Sequence, residues 1–215
     1  MRISIHQWLS AASICLAASG AWAGVYEDTL IAARNDDSAK VIQFLQRGVD
    51  INTADEHGTT LLMYAARNGN ESLLDHLLNN DAKPLIKNKY GDDALMFAAL
   101  QGHAGCVAKL LAAGVKPDTE IPAWTPLIYA AFSGHGTIAK YLLDKGARVD
   151  ARTPNGLTAL MVAARNNRLD IVRLLLDHKA DPKLKNSADD TALDIALKAG
   201  NSGIAELLGA AMDPP

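Results

Sequence analysis

Residues able to act as acids, nucleophiles or metal ligands are scattered through this 215-residue chain. Paired carboxylates occur at Asp36-Asp37, Asp92-Asp93 and Asp189-Asp190, and such pairs can perform general acid–base catalysis. All three pairs fall among turn residues, where carboxylates are solvated and cap helices. The chain contains no Gly-x-Ser-x-Gly, phosphate-binding glycine loop, His-Glu-x-x-His or Cys/His cluster at ligand spacing. We therefore predict no catalytic, metal or cofactor site, with an enzyme of unrecognised type as the alternative.

The thiol of Cys106 is a candidate nucleophile. Cys106 adjoins Val107, and Leu110 and Leu111 follow one helical turn later. A thiol on such an apolar helix face is typically buried and unreactive. The sequence therefore predicts a structural role for Cys106.

An alanine pair that returns at a fixed interval organises the chain. Successive pairs are separated by 33, 33, 32 and 33 residues, and a further step of 33 reaches Ala196. Such a period indicates stacked repeats, in which each unit buries its apolar face only against its neighbours. The pairs are Ala32-Ala33, Ala65-Ala66, Ala98-Ala99, Ala130-Ala131 and Ala163-Ala164.

Each period is predicted to hold two helices that end at left-handed residues. The fourth residue after each first alanine is of a type that tolerates a left-handed backbone, namely Asp36, Gly69, Gly102, Gly134, Asn167 and Gly200. A second helix then ends at Gly48, Gly114 and Gly146 in three units. Asp81 and Lys179 stand at the equivalent positions, and a left-handed Lys179 costs about 1 kcal/mol.

Polar turns are predicted between the helix pairs, projecting away from the helices. Examples are Asp55–Gly58, Lys89–Asp92 and Thr153–Gly156. A threonine hydroxyl can cap the helix after each turn, at Thr60, Thr125, Thr158 and Thr191. The predicted unit is therefore a turn, a helix, a tight link and a second helix.

These features resemble the ankyrin repeat, whose pattern includes a turn glycine, Thr-Pro-Leu-His, an alanine pair, Gly-His, a Leu-Leu pair and Gly-Ala. The closest unit reads from Thr125-Pro126-Leu127 to Gly134-His135, then Leu142-Leu143 and Gly146-Ala147. The resemblance implies an all-α solenoid of stacked helix-turn-helix units with projecting β-turn or hairpin loops. A tetratricopeptide-type repeat is the alternative, although it gives no reason for projecting turns. The implied division is a signal peptide at 1–23, a capping helix pair at 24–54, repeats at 55–87, 88–119, 120–152 and 153–185, and a C-terminal capping repeat at 186–215.

Two histidine positions of the family pattern bear on the resemblance. His103 and His135 occupy the family's Gly-His position, which implies a structural role for them. The family's histidine after Thr-Pro-Leu is replaced by Met63, Met96, Ile128, Met161 and Asp194. We expect core packing there, since single thioethers, one per repeat, do not converge on an ion.

In ankyrin stacks, the turn tips and the ends of the first helices line a concave groove that holds other proteins. The resemblance therefore implies that nine residues line a protein-binding groove: Tyr90, Leu100, Trp124, Phe132, Leu157, His57, Arg67, Lys89 and Arg165. Trp124 and Phe132 would then be exposed at its centre, as in a binding hot spot. Inward packing of these two residues is the alternative. Tyr64, Phe97 and Tyr129 are expected to be semi-buried spacers.

The first 23 residues are expected to be a cleavable signal peptide. Arg2 precedes an apolar stretch from Leu9 to Ala18, and Ala21-Trp22-Ala23 fits a small-x-small cleavage site. The stretch is about half of the roughly 20 residues that span a bilayer, which argues against an anchor. We expect cleavage after Ala23, periplasmic or secreted localisation, and no membrane association after signal removal.

The charge pattern restricts the partner class. The formal net charge is −3 at pH 7, and the chain has no run of lysine or arginine. Nucleic acid is therefore disfavoured as a partner. We expect a monomer that binds another protein as an accessory, protective or inhibitory partner, and a secreted effector acting on a host protein is the alternative.

Overall fold

A computed structural model describes residues 24–118 and 123–212 of the chain. The expected signal peptide at 1–23 and the turn residues Ile121-Pro122 lie outside the described residues. Within the described ranges the chain is helical, with no strand and one isolated antiparallel bridge between Ala54 and Thr60.

The helices come in pairs along the chain and stack in two layers. Odd-numbered helices pack on one another from α3 to α11, and even-numbered helices do so from α4 to α12. This arrangement confirms the all-α repeat solenoid. The helices are α1 (24–34), α2 (Ser38–Gln46), α3 (Leu61–Asn68), α4 (Glu71–Asn79), α5 (Ala94–Gln101), α6 (Ala104–Ala112), α7 (Pro126–Ser133), α8 (Gly136–Asp144), α9 (Ala159–Arg165), α10 (Leu169–Asp177), α11 (Ala192–Lys198) and α12 (Ser202–Met212).

The predicted threonine caps begin the odd-numbered helices. The Thr60, Thr125 and Thr158 hydroxyls each accept the backbone N–H three residues on at 3.3 Å, and Thr191 does so at 3.2 Å. Each cap pairs an N–H that would otherwise lack a partner in the first helical turn. Asp93 takes this role for α5, accepting the Met96 N–H at 3.0 Å.

Left-handed residues end the helices as predicted. Asp81, Asn167 and Lys179 have φ values of 67°, 56° and 66° without being glycine. Gly69 has a φ of 74°, and a Cβ placed there would lie 2.5 Å from the Nδ1 atom of His103. Glycine at 69 therefore permits both the turn and the close approach of the next unit.

Side chains in the links bind the neighbouring units together. His103 Nε2 lies 3.0 Å from the Arg67 carbonyl oxygen, and His135 Nε2 lies 3.1 Å from that of Leu100. The Asn201 amide donates to the Ala164 carbonyl at 2.8 Å. These bonds cover carbonyls at helix ends, and they give both histidines the structural role expected of them.

The alanine pairs and methionines lie in the core. Met63, Met96 and Met161 are buried, as are both alanines of every pair. Small side chains let the odd-numbered helices approach closely, and the flexible thioethers fill the remaining space. Tyr64 differs from expectation, because its side chain is buried, whereas Phe97 and Tyr129 are half-buried.

Successive turns also contact one another through the backbone. The Lys89 N–H donates to the His57 carbonyl at 2.8 Å, and the Ser187 N–H donates to the Asn155 carbonyl at 3.0 Å. A Cβ at Gly156 would lie 3.1 Å from the Asn186 Cα, so glycine lets the two turns meet. Backbone hydrogen bonds therefore join the turn before α3 to the turn before α5, and the turn before α9 to the turn before α11.

Candidate functional site

One position on the odd-numbered helices faces the same surface in every unit. It is the second residue after the first alanine of each of the five pairs, and after Ala196 in the last unit, and the stacking places its six occupants in a line that we call the inner row. The inner row has cations at both ends and apolar residues in the middle. In order, it consists of Arg34, Arg67, Leu100, Phe132, Arg165 and Lys198.

An aromatic cluster marks the middle of the inner row. Trp124 is half-buried, and its ring centroid lies 5.1 Å from that of Tyr129 and 6.3 Å from that of Phe132, the latter edge-on. Phe132 remains 42% exposed although it is a large apolar residue. Leu100 is half-exposed in the neighbouring unit. We call Leu100, Trp124 and Phe132 the middle patch.

The position of Trp124 combines the two alternatives that the sequence leaves open. Its indole packs partly against the core, so it contributes to the fold. The same indole supports the Phe132 ring in an edge-to-face geometry that aromatic pairs favour. Phe132 is thereby held at the surface in a fixed orientation.

Tyr129 holds the aromatic cluster in place through its hydroxyl group. Its hydroxyl donates to Asp92 Oδ1 at 2.8 Å, which joins α7 to the turn before α5. Burial raises the pKa of the Tyr129 phenol, and the bond to Asp92 raises it further. Tyr129 therefore remains a protonated donor at neutral pH and fixes the turn beside the middle patch.

The turn tips carry a second aromatic contact. Tyr90 is 72% exposed, and its ring centroid lies 6.0 Å from that of His57 in the preceding turn. Lys89 and His57 are also exposed, and the backbone bond between them joins the two tips. These three groove candidates lie together at the turn edge.

Arg34 and Arg67 occupy the N-terminal end of the inner row, and both contact Tyr64. The Arg67 guanidinium lies 4.8 Å from the Tyr64 ring centroid, and Arg34 Nη2 donates to the Tyr64 hydroxyl at 3.4 Å. The Tyr64 hydroxyl donates to Asp55 Oδ2 at 2.8 Å. Burial alone would raise the pKa of Asp55, but hydrogen bonds from Thr59, Tyr64 and His57 outweigh it and lower that pKa.

The other end of the row includes Arg165, which is exposed at the end of α9. Lys198 lies beyond it and forms a 2.5 Å ion pair with Asp190. The sequence interpretation did not select Arg34 or Lys198. Aligning the five alanine pairs and Ala196 is the signal that identifies both.

Leu157 is a correction to the expected groove. Its side chain is only 9% exposed and packs in the core, so it does not lie open at the surface. The Leu157 N–H donates to the Thr153 hydroxyl at 3.0 Å, which closes this turn and directs the side chain inward. Trp124 occupies the equivalent position, where the larger indole stays half-exposed.

The groups that could do chemistry have structural contacts in the described ranges. Cys106 is buried, and burial with the nearby Glu71 carboxylate raises its pKa to about 11. Asp37 and Asp93 cap α2 and α5, as predicted for the paired acids, but Asp93 is buried and not solvated as expected. In residues 24–118 and 123–212, no three His, Cys, Asp or Glu side chains lie together as a metal site would require. No helix in these ranges has the length and apolarity to cross a bilayer.

Comparison with known families agrees with this architecture. The family model described as ankyrin repeats (3 copies) matches residues 29–121, 86–153, 114–186 and 150–214. The chain therefore belongs to the ankyrin-repeat family. Repeats of this class are in general non-catalytic and commonly mediate binding between proteins.

The chain is also similar to part of a named enzyme. NAD-capped RNA hydrolase NUDT12 is 49% identical over 57 residues in Homo sapiens, Pongo abelii and Macaca fascicularis. The match covers 26% of this chain and 12% of each relative, so the chain spans a small part of their length. The hydrolase activity in that name describes those proteins.

Proposed function

We propose that this protein is a non-catalytic binding module that holds a partner protein on the inner row and the adjoining turn tips. One observation carries the proposal: an exposed phenylalanine stands edge-on to a half-buried tryptophan at the centre of a polar-ended surface. Nothing in the stack requires Phe132 to be apolar, because four of its five equivalents on the inner row are arginine or lysine.

Energetic reasons favour binding at this place. Aromatic residues near the centre of an interface contribute most of its binding energy when surrounding residues exclude water. The rigid stack loses little conformational freedom on association, since its side chains are already held by neighbours. Trp124 in particular is held in place by Tyr129 before any partner arrives.

The proposed site of action is the bacterial periplasm. The charged start, apolar stretch and Ala21-Trp22-Ala23 of the first 23 residues support export followed by cleavage. Mass spectrometry of the protein recovered from a periplasmic fraction tests this directly. A mature chain that starts at Gly24 is expected, and an uncleaved Met1 in the cytoplasmic fraction would contradict export.

Crosslinking and pull-down from a periplasmic extract test the binding proposal. The bait variants are the parent, the double variant Trp124→Ala/Phe132→Ala, and Leu85→Ala. Leu85 is 67% exposed and lies outside the inner row, so it controls for general loss of apolar surface. We expect a partner that the parent and Leu85→Ala capture and the double variant releases.

Circular dichroism and thermal melting of each bait separate binding from folding. Loss of the helical signal in the double variant would assign Trp124 and Phe132 to the core. Equal capture by all three baits, with folding intact, would contradict the proposed surface.

A further inference from the structure

We propose that a second copy of this chain binds at the loop after α4, so that two copies pair about a two-fold axis beside Leu85. This surface lies outside the inner row and is therefore independent of the proposed function. The pairing departs from the monomer expected from the sequence. Its basis is a leucine that interrupts a ladder of hydrogen bonds, together with the groove that this leucine lines.

Side chains in the loops after the even-numbered helices join each loop to the next. The acceptor stands four residues after the left-handed residue that ends a second helix, and the donor is a backbone N–H in the following unit. Each bond gives a backbone group of an irregular segment a fixed partner. The bonds run from the Lys83 N–H to Asn52 Oδ1 at 2.8 Å, from the Arg148 N–H to Asp118 Oδ2 at 3.0 Å, and from the Asp181 N–H to Asp150 Oδ1 at 3.1 Å.

Leu85 occupies the acceptor position of this ladder in the unit of α3 and α4. It stands four residues after Asp81, whose φ is 67°. A leucine side chain offers no acceptor to the Lys116 N–H, the equivalent donor of the next unit, so the ladder is interrupted here. The side chain is instead 67% exposed. The stack alone gives no reason for an apolar residue at this position, and such local departures are expected at functional sites.

Leu85 lines an open groove of about 590 Å³ between the loop after α4 and the end of α6. Five further apolar residues line it, namely Leu78, Ala82, Pro84, Ile86 and Ala113. An exposed leucine beside an apolar groove supplies both halves of a contact, because the leucine of each copy can enter the groove of the other. An interface in which one patch serves both subunits is what a two-fold axis produces.

The charges on the groove rim favour a second copy as the occupant. Asp81 and Lys83 are the charged residues that line the groove, and both are exposed. Neither forms an ion pair with another described residue. A two-fold axis can place Asp81 of one copy beside Lys83 of the other and repeat this pair on the opposite side. A rim with charges of one sign would repel its own copy, whereas one charge of each sign allows the patch to pair with itself.

The proposed contact is small. One shared groove with two charge pairs forms less than the roughly 1,200–2,000 Å² of a stable interface, so we expect a weak dimer. None of the described residues that line the groove belongs to the inner row. Pairing is therefore compatible with binding of a different protein on the inner row.

Sedimentation equilibrium measures the pairing. The parent, Leu85→Asn and Leu85→Ala are compared from about 1 μM to about 1 mM, a range that covers weak interfaces. We expect the parent to dimerise and both variants to dimerise at least about tenfold more weakly, because each dimer loses two buried leucines. A parent that stays monomeric throughout, or variants that pair as well as the parent, would overturn the proposal.

Thermal melting in dilute solution separates pairing from a structural role of Leu85. Asparagine at position 52 accepts the ladder bond, so Leu85→Asn should restore that bond to the Lys116 N–H. Its Tm should rise by roughly 1–4 °C, the shift that one added hydrogen bond gives a chain of this size. Leu85→Ala supplies no acceptor and should show no rise. A lower Tm for Leu85→Asn would assign Leu85 to the fold and overturn its role in pairing.

Charge exchange tests the two-fold arrangement. Lys179 and Asp181 hold the positions equivalent to 81 and 83 in the unit of α9 and α10, so Asp81→Lys and Lys83→Asp both suit this backbone. Each single variant gives the rim charges of one sign and should weaken pairing several-fold at low salt. The double variant Asp81→Lys/Lys83→Asp should restore pairing. A double variant that pairs no better than the single variants would contradict the arrangement.

Photo-crosslinking from the groove identifies the occupant in living cells. A benzophenone amino acid replaces Leu85 in one strain and Lys183, the exposed equivalent in the last unit, in a control strain. We expect an adduct of twice the chain mass from position 85 and none from position 183. Adducts of position 85 with a different protein alone would overturn the second copy as the occupant.

Discussion

The two middle units, whose helices are α5–α6 and α7–α8, stack in the same way as the flanking units of α3–α4 and α9–α10, but they expose different side chains. At one helical position the middle units present Leu100 and Phe132, and the flanking units present Arg67 and Arg165. The same inter-unit hydrogen bonds lie beneath both regions, as His103 bonds to Arg67 and His135 to Leu100. The stack therefore fixes the positions of these side chains, while the residue type at each position varies and can determine which partner binds.

The regions also differ at the ends of their second helices. Gly114 and Gly146 end α6 and α8 in the middle units, whereas Asp81 and Lys179 take the same left-handed backbone in the flanks. Only glycine adopts that conformation without steric cost. The units that carry the middle patch thus have the less strained backbone.

Phe132→Arg should have the largest effect on partner binding, because it gives a middle unit the residue type of the flanking units. We expect partner affinity to fall at least about 30-fold, since loss of a hot-spot residue costs 2 kcal/mol or more. The free energy of unfolding should fall by only about 0.5–1.5 kcal/mol, because the substitution removes the aromatic pair with Trp124 and leaves the helix stack in place. Calorimetric titration with the captured partner and urea unfolding measure the two quantities.

Arg67→Leu is the matched control for that substitution, since it gives a flanking unit the residue type of the middle. It should leave the fold unchanged and retain partner binding, because Phe132 and its apolar contact remain in place. Unaltered affinity of Phe132→Arg would show that the middle patch is not the binding surface.

His135→Ala and His103→Ala compare the bonds beneath the two regions. Each substitution leaves a helix-end carbonyl without its ring partner, and we expect a loss of about 1–2 kcal/mol in either case. Similar losses, measured by urea unfolding, would show that the scaffold is equivalent in the middle and in the flank. A loss at one histidine alone would locate a difference in the scaffold itself.

Lys179→Gly gives a flanking unit the helix end of the middle units. The substitution relieves a left-handed lysine, although glycine also adds entropy to the unfolded chain, so the net gain is about 0.5–1 kcal/mol. Thermal melting should show a higher Tm than the parent. Gly146→Lys is the reverse variant and should lower the Tm, and the opposite order would contradict the account of strain.

Asp93→Thr has the smallest expected effect and tests the cap that differs from Thr60, Thr125, Thr158 and Thr191. Burial raises the pKa of Asp93, so the folded state binds its proton more readily than the unfolded state. Its contribution to stability is therefore greatest below the unfolded pKa and falls as pH rises through the folded pKa.

Threonine removes this titration while preserving the bond to the Met96 N–H. The stability of Asp93→Thr relative to the parent should therefore increase between pH 3 and pH 6, by less than about 1 kcal/mol. Thr60→Ser, which titrates no group at a cap, is the control. A constant difference across that pH range would show that burial does not disfavour the Asp93 carboxylate.

Much of this architecture could be predicted from the sequence because the same residue types recur at the same positions of each unit. The alanine pairs and left-handed residues recur at fixed positions, so the helices inferred in one unit support those inferred in the others. Exposure could not be predicted in the same way, since Trp124 and Leu157 share a position and differ in burial. Whether a turn side chain is covered depends on its size and on the closing hydrogen bonds.

The hydrogen bonds of the tyrosine hydroxyls could likewise be identified only from three-dimensional contacts. Tyr64 and Tyr129 read as spacers in the sequence, yet their hydroxyls bind Asp55 and Asp92 across turns. Tyr129 and Asp92 are 37 residues apart in the sequence. Only the stacked structure shows which carboxylates accept the tyrosine hydroxyls.

Site-specific photo-crosslinking in living cells tests the central claim most directly. A benzophenone amino acid replaces Phe132 on the inner row in one strain and Lys140 on α8 in another. The account predicts a partner adduct from position 132 and none from position 140. An adduct from position 140 alone, or equal adducts from both, would contradict binding on the inner row.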